Sequence, residues 1–82
     1  MDIKDYIVLQ TLITERSISK TAKLMNMSQP GVTLRLKKIR NELKDQILVR
    51  NGQNMELTAR AHSILSTLQQ INQGFMTILP NQ

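Results

Sequence analysis

Four residues that start helices well, Asp2, Ser17, Ser28 and Thr58, each stand ahead of apolar residues recurring at helical spacing. That repeated pairing of cap and stripe leaves little room for anything but helices. The first segment, residues 2–14, carries Ile3, Tyr6, Ile7, Leu9, Leu12 and Ile13, a broad apolar surface that predicts a largely buried helix. The second, residues 18–25, places Ile18, Ala22 and Met25 on one face, and Asn26-Met27 connects it tightly to the third. The third runs from about Gln29 to Leu43, with Pro30 tolerated in its first turn. Its stripe is Val32, Leu36, Ile39 and Leu43, spaced 4–3–4. The opposite face holds Pro30, Leu34, Lys37, Lys38 and Asn41, with Thr33 beside it.

Between the third and fourth segments the pattern changes. Ile47, Leu48 and Val49 favour strand, and Asn51-Gly52 is a two-residue turn signal, so residues 47–57 read as a small hairpin. Arg50 and Gln53 would flank that turn, with Asn54 close by. The fourth helix follows Thr58 to about Leu79. Its Ala61, Ile64, Leu68, Ile71, Phe75 and Ile78 are spaced 3–4–3–4–3, the seam of a coiled coil. The seam either packs back on the domain's own core or meets a second copy. The second is favoured here, because so small a domain cannot cover a stripe about 30 Å long.

Composition narrows the function classes. A chain of 82 residues is one domain with one appended helix, and its core is marginal in size. There is no Cys, and His62 is the one His. Disulfides, thiolate metal sites and Cys nucleophiles are excluded, no cofactor is expected, and oligomerisation is left as the further source of stability. The closest acidic pair, Asp2 and Asp5, fits a helix start better than acid–base chemistry, so an enzyme is not expected. No apolar run approaches the roughly 18–20 residues of a membrane span, and MDIKDY lacks the marks of a signal peptide, so no membrane partner and a cytoplasmic location are expected.

Charge is uneven. Residues 16–50 hold nine basic side chains against Glu42 and Asp45, whereas residues 51–82 are neutral. A concentrated basic surface suits a polyanion, since each neutralised phosphate releases counterions. A short helix, a tight turn and a longer basic helix form a helix-turn-helix, which sets the start of the second helix into the major groove of DNA. Gln29 can pair bidentately with adenine, and Thr33 faces the same groove. Leu34 is either an exposed leucine without a role or a partner for a thymine methyl. Ser28 caps the helix and can present amides to a phosphate. Lys37 and Lys38 read as phosphate contacts, and Arg50, Gln53 and Asn54 as a wing reaching a neighbouring groove. Arg35 lies on the flank, near Glu42.

Ser28-Gln29-Pro30-Gly31-Val32-Thr33 resembles the SQPAVS signature of LysR-type transcriptional regulators. Ser17, Thr21-Ala22 and Leu24 precede it as in that family, and Leu36, Ile39, Leu43, Leu48, Arg50 and Leu57-Thr58 follow. Arg40, Lys44, Leu48 and Ala61 depart from the general pattern. With Asp45, Ile47-Leu48-Val49-Arg50 and Thr58-Ala59-Arg60-Ala61 they are similar to the nodulation and naphthalene-catabolism regulators. Gly31 stands for the usual Ala, and Leu34 where a polar base-reader is usual. The resemblance implies a mainly α winged helix-turn-helix, three helices plus a β-hairpin wing, over residues 1–57. A linker and dimerisation helix would occupy 58–79.

The expected function is sequence-specific binding of double-stranded DNA for transcriptional regulation, as a homodimer on an interrupted palindrome. The resemblance also implies a small-molecule co-inducer, acting through a C-terminal effector-binding domain that these residues do not include. The alternative is a helical protein-interaction or coiled-coil adaptor whose basic face is incidental.

Overall fold

A computed structural model describes residues 1–78, the side chains of Phe75 and Met76 excepted. The order is α1 (Ile3–Glu15), α2 (Ile18–Met25), α3 (Gln29–Leu43), β1 (Leu48–Asn51), β2 (Asn54–Leu57) and α4 (Ala59–Ile78). This is the mainly α fold with a hairpin wing that the sequence implies. All four expected caps form. Asp2 and Asp5 make a reciprocal capping box. Ser17 accepts the Lys20 amide, Ser28 the Gly31 amide and Thr58 the Ala61 amide, each at 3.1 Å. The first three helices end on residues in the left-handed region, Arg16, Asn26 and Lys44, with φ of 53°, 54° and 56°. None is the glycine that suits that conformation best.

The core is aliphatic. Val8, Leu12 and Ile13 of α1 meet Val32, Leu36 and Ile39 of α3, and Ile47 and Leu48 close one end. Leu43, the last member of the α3 stripe, packs partly buried at its edge. The buried arc of α1 differs from the expected one. It runs Asp5, Val8, Leu9, Leu12 and Ile13, while Ile3 and Ile7 are exposed. A broad apolar surface does not say which arc faces inward, and α1 turns so that Asp5 meets the cations of α3.

Two further expectations need correction. The hairpin turn is Gly52-Gln53, not Asn51-Gly52, because Asn51 pairs with Asn54 as the last rung. A two-residue loop with positive φ only at its first position is the type II′ pattern, and Gly52 supplies it at φ 64°. Asn51 stays in the strand and donates its side-chain amide to Glu56 at 2.7 Å. The α4 seam is also divided. Ala61 and Leu68 are buried within the chain itself, at 0% and 4% exposure, and Ile64 packs against the core. Ile71 and Ile78 are open to solvent at 52% and 77%. The start of α4 thus belongs to the domain core. The side chain of Phe75, and Leu79, lie outside the described residues.

Candidate nucleic-acid interface

All ten side chains singled out in sequence for contact with DNA are exposed. The fold distributes them around α3 in two grooves. Gln29 and Thr33 line a cleft with Arg50, Gln53 and Asn54 of the wing, and the junction of α1 and α2 completes it with Arg16, Ser17 and Ser19. On the other side, Leu34, Lys37 and Lys38 border a groove with Arg35, Asn41 and Lys44. The outer face of α3 therefore stands as a ridge between two basic channels. Pro30 lies in its first turn, and Ser28 remains tied to its capping role.

Nothing in the sequence pattern assigns a contact role to Arg16, Ser17 or Ser19. Ser17 is spent as a cap, and Ser19 shares a hydrogen bond with it at 3.1 Å. No periodic signal marks them. Their nearness to Gln29 follows from the angle between α2 and α3, which only the packed fold defines.

The cations of α3 divide by what they meet. Asp5 is fully buried, and Arg35 Nη1 donates to its Oδ1 at 2.7 Å, while Lys38 Nζ donates to Oδ2 at 2.9 Å. The Lys38 ammonium first, then the Asp2 amide and the Arg35 guanidinium, hold the Asp5 carboxyl far below the usual carboxylate range, against burial that pushes it up. The Lys38 ammonium is raised in turn, chiefly by its hydrogen bond to Asp5. Lys38, placed beside Lys37 as a phosphate contact from its position, is thus already engaged with a buried carboxylate. Arg35 also faces Asp5 and Asp2, whereas Glu42 holds the amino group of Met1 at 2.9 Å. Lys37 makes no ion pair among the described residues.

Leu34 is 70% exposed on the ridge, with nothing in the chain to bury it. Gly31 lies beneath, and a Cβ there would come within 3.1 Å of Ser28 Oγ. Among the described residues, no three of His, Cys, Asp and Glu come together as metal ligands. No helix among them is long and apolar enough to cross a membrane.

The family described as bacterial regulatory helix-turn-helix protein, lysR family, matches residues 3–62. The HTH-type transcriptional regulator CzcR of Bacillus thuringiensis (strain Al Hakam) is 32% identical over 83 residues, covering 93% of this chain and 28% of its own. Nodulation protein D 2 of Rhizobium leguminosarum bv. phaseoli is 29% identical over 70 residues, covering 85% of this chain and 22% of its own. The chain spans about a quarter of the length of these curated relatives. Among solved structures, the BenM_DBD/catB site 1 DNA complex has a similar fold, with a TM-score of 0.77. It is 18% identical and covers 95% of this chain and 84% of its own.

Proposed function

Because the chain belongs to the LysR family of bacterial regulatory helix-turn-helix proteins, we propose that it binds double-stranded DNA sequence-specifically in transcriptional regulation, with α3 in the major groove. The observation that carries this reading is the ridge itself. Gln29 and Thr33 stand on the edge of α3 that lines the wing-side channel, and Leu34 on the edge that borders the other, each beside cations. A helix entering the major groove needs that arrangement, with base-reading groups on the crest and phosphate-binding groups on the flanks. Gln29 and Thr33 read base edges, and Leu34 meets a thymine methyl. Lys37 contacts one sugar–phosphate strand. Arg50, Gln53 and Asn54 of the wing, with Arg16 at the end of α1, approach the other. Lys38 acts mainly through Asp5, and Pro30 and Ser28 shape the entry of the helix.

Residues 1–57 form the reading unit, and α4 from residue 58 carries a second copy. The exposed Ile71 and Ile78 support a homodimer, since leaving them wet forfeits roughly 1.5–3 kcal/mol each. A two-fold dimer would bind an interrupted palindrome with half-sites about one helical turn, or a multiple of it, apart. A cytoplasmic location follows from that role.

Selection of bound sequences from a random DNA pool tests the reading. A consensus with inverted repeats should emerge, and Gln29→Ala should cost about 1–3 kcal/mol and relax preference at one base pair. Binding that shows neither sequence preference nor a steep inverse dependence on salt would refute it, and would favour the adaptor reading of α4.

A further inference from the structure

The junction between α3 and the wing contains a conformation that does not hold itself. Ile47 is β-branched, fully buried, and sits at φ 67°. The Leu48 amide returns to the Gln46 carbonyl at 2.7 Å, closing a γ-turn on Ile47. A β-branched residue at positive φ persists only where its surroundings over-determine it. Here four hydrogen bonds do so. Arg40 Nε donates to the Gln46 carbonyl at 2.8 Å, and Arg40 Nη2 to the Leu48 carbonyl at 2.9 Å, so one guanidinium spans the turn. The Ile47 amide donates to Asp45 Oδ2 at 2.8 Å. The Ile47 carbonyl accepts the Thr58 amide at 3.0 Å.

The same Asp45 oxygen accepts the Thr58 hydroxyl at 2.6 Å, and that hydroxyl accepts the Ala61 amide that starts α4. The start of the hairpin is therefore tied to Arg40 in the last turn of α3, and its end to Asp45 and Ile47 just beyond that helix. An isolated two-stranded hairpin is marginal in water, and this one buries only Leu48 and Leu57. Its placement consequently depends on the junction. We propose that Arg40 and Asp45 are positioning residues for DNA recognition: by locking the turn at Ile47 they set where Arg50 and Gln53 stand across the cleft from Gln29 and Thr33. This rests on the DNA-reading role of α3 and the wing. Neither residue needs to touch DNA, and their effect passes through the wing.

The test is a double-mutant cycle on a duplex carrying the selected consensus, at a temperature where circular dichroism shows every variant folded. Arg40→Lys keeps the charge but cannot span two carbonyls. Arg40→Lys and Arg50→Ala should each weaken binding about tenfold, the worth of one charged hydrogen bond. The double variant should be scarcely weaker than Arg50→Ala alone, whereas Arg40→Lys combined with Gln29→Ala should be additive. A merely structural Arg40 would lower the melting temperature and leave both cycles additive, and that result overturns the proposal.

Asp45→Ala, which removes the oxygen that holds both Ile47 and Thr58, provides the second variant should Arg40→Lys not fold. It should show the same coupling to Arg50, and full additivity there overturns the proposal equally. In the DNA-free protein, backbone nuclear magnetic resonance of either variant should show shifted, faster-exchanging amides over 48–57 with α1 to α3 unchanged. Unaltered wing amides overturn the lock whatever the DNA result. A wild-type chain with no sequence preference would overturn the DNA reading itself, and the free-protein spectra tell that failure from failure of the lock.

Discussion

Replacing Asp5 by Asn should destabilise the fold by about 2–4 kcal/mol at neutral pH. Asp5 receives two charged hydrogen bonds, from Arg35 at 2.7 Å and Lys38 at 2.9 Å, within a fully buried site. Each charged hydrogen bond contributes about 1.5–3 kcal/mol, and an Asn keeps one acceptor while losing the charge. The loss is partly offset, because the Lys38 side chain is 51% exposed and can turn to water. A domain of this size has roughly 0.05–0.15 kcal/mol of stability per residue, so the change removes a large part of it.

Urea unfolding followed by helical circular dichroism measures the difference. The sign with pH follows from the depressed carboxyl. Its contribution is complete above about pH 5, beyond the unfolded value of an aspartate, and is lost as pH falls through the folded value. The gap between wild type and Asp5→Asn should therefore narrow steadily below about pH 4. A variant within about 0.5 kcal/mol of wild type at pH 7, or a gap independent of pH, would show that the Asp5 carboxylate does not hold α1 to α3.

Three more outcomes can be checked. Lys37→Ala should lower the slope of log affinity against log salt by about one while leaving stability unchanged, whereas Lys38→Ala should lower stability and change the slope less; equal slopes and equal stabilities would refute the division. Ile71→Glu should give a monomer by sedimentation at micromolar concentration without unfolding the domain, while Leu68→Glu should unfold it, because Leu68 is only 4% exposed in the single chain; a dimeric Ile71→Glu variant removes the seam. Gly31→Ala should raise stability by up to about 1 kcal/mol from helix propensity, provided Ser28 Oγ yields a few tenths of an ångström; a loss measured by thermal unfolding would mean that the cap cannot shift.

Much of the fold was legible because its signals are local. The bounds of α2 and α3 follow from Ser17, Ser28 and two apolar stripes, and the hairpin from β-formers followed by Gly52. What escaped depends on pairs far apart in the chain. Nothing near Asp5 announces that it will be buried, since its partners lie 30 and 33 residues away. Lys37 and Lys38 look alike in sequence, and only the packing of α1 on α3 separates them. Ile47 reads as a strand residue by propensity, yet the guanidinium of Arg40 and the carboxylate of Asp45 hold it in a turn. The α4 stripe is continuous in sequence, while the extent of the core beneath it decides where burial ends. The outward face of α3 was legible from the helical wheel. The groove shared by α2 and the wing was not, because it depends on interhelical angle.

The left-handed residues that end α1 and α3 carry a consequence for how such a domain can be improved. Arg16 and Lys44 occupy positions where glycine would sit with less strain, at φ 53° and 56°. Each places a cation at the negative end of a helix, and they stand in different grooves beside the ridge, Arg16 facing the wing and Lys44 the opposite channel. A search for thermostable variants would readily select glycine at both positions, and every such gain would strip charge from the two channels beside α3. Backbone strain and the positive charge of the channels are therefore opposed at these two sites: what would relax one would deplete the other.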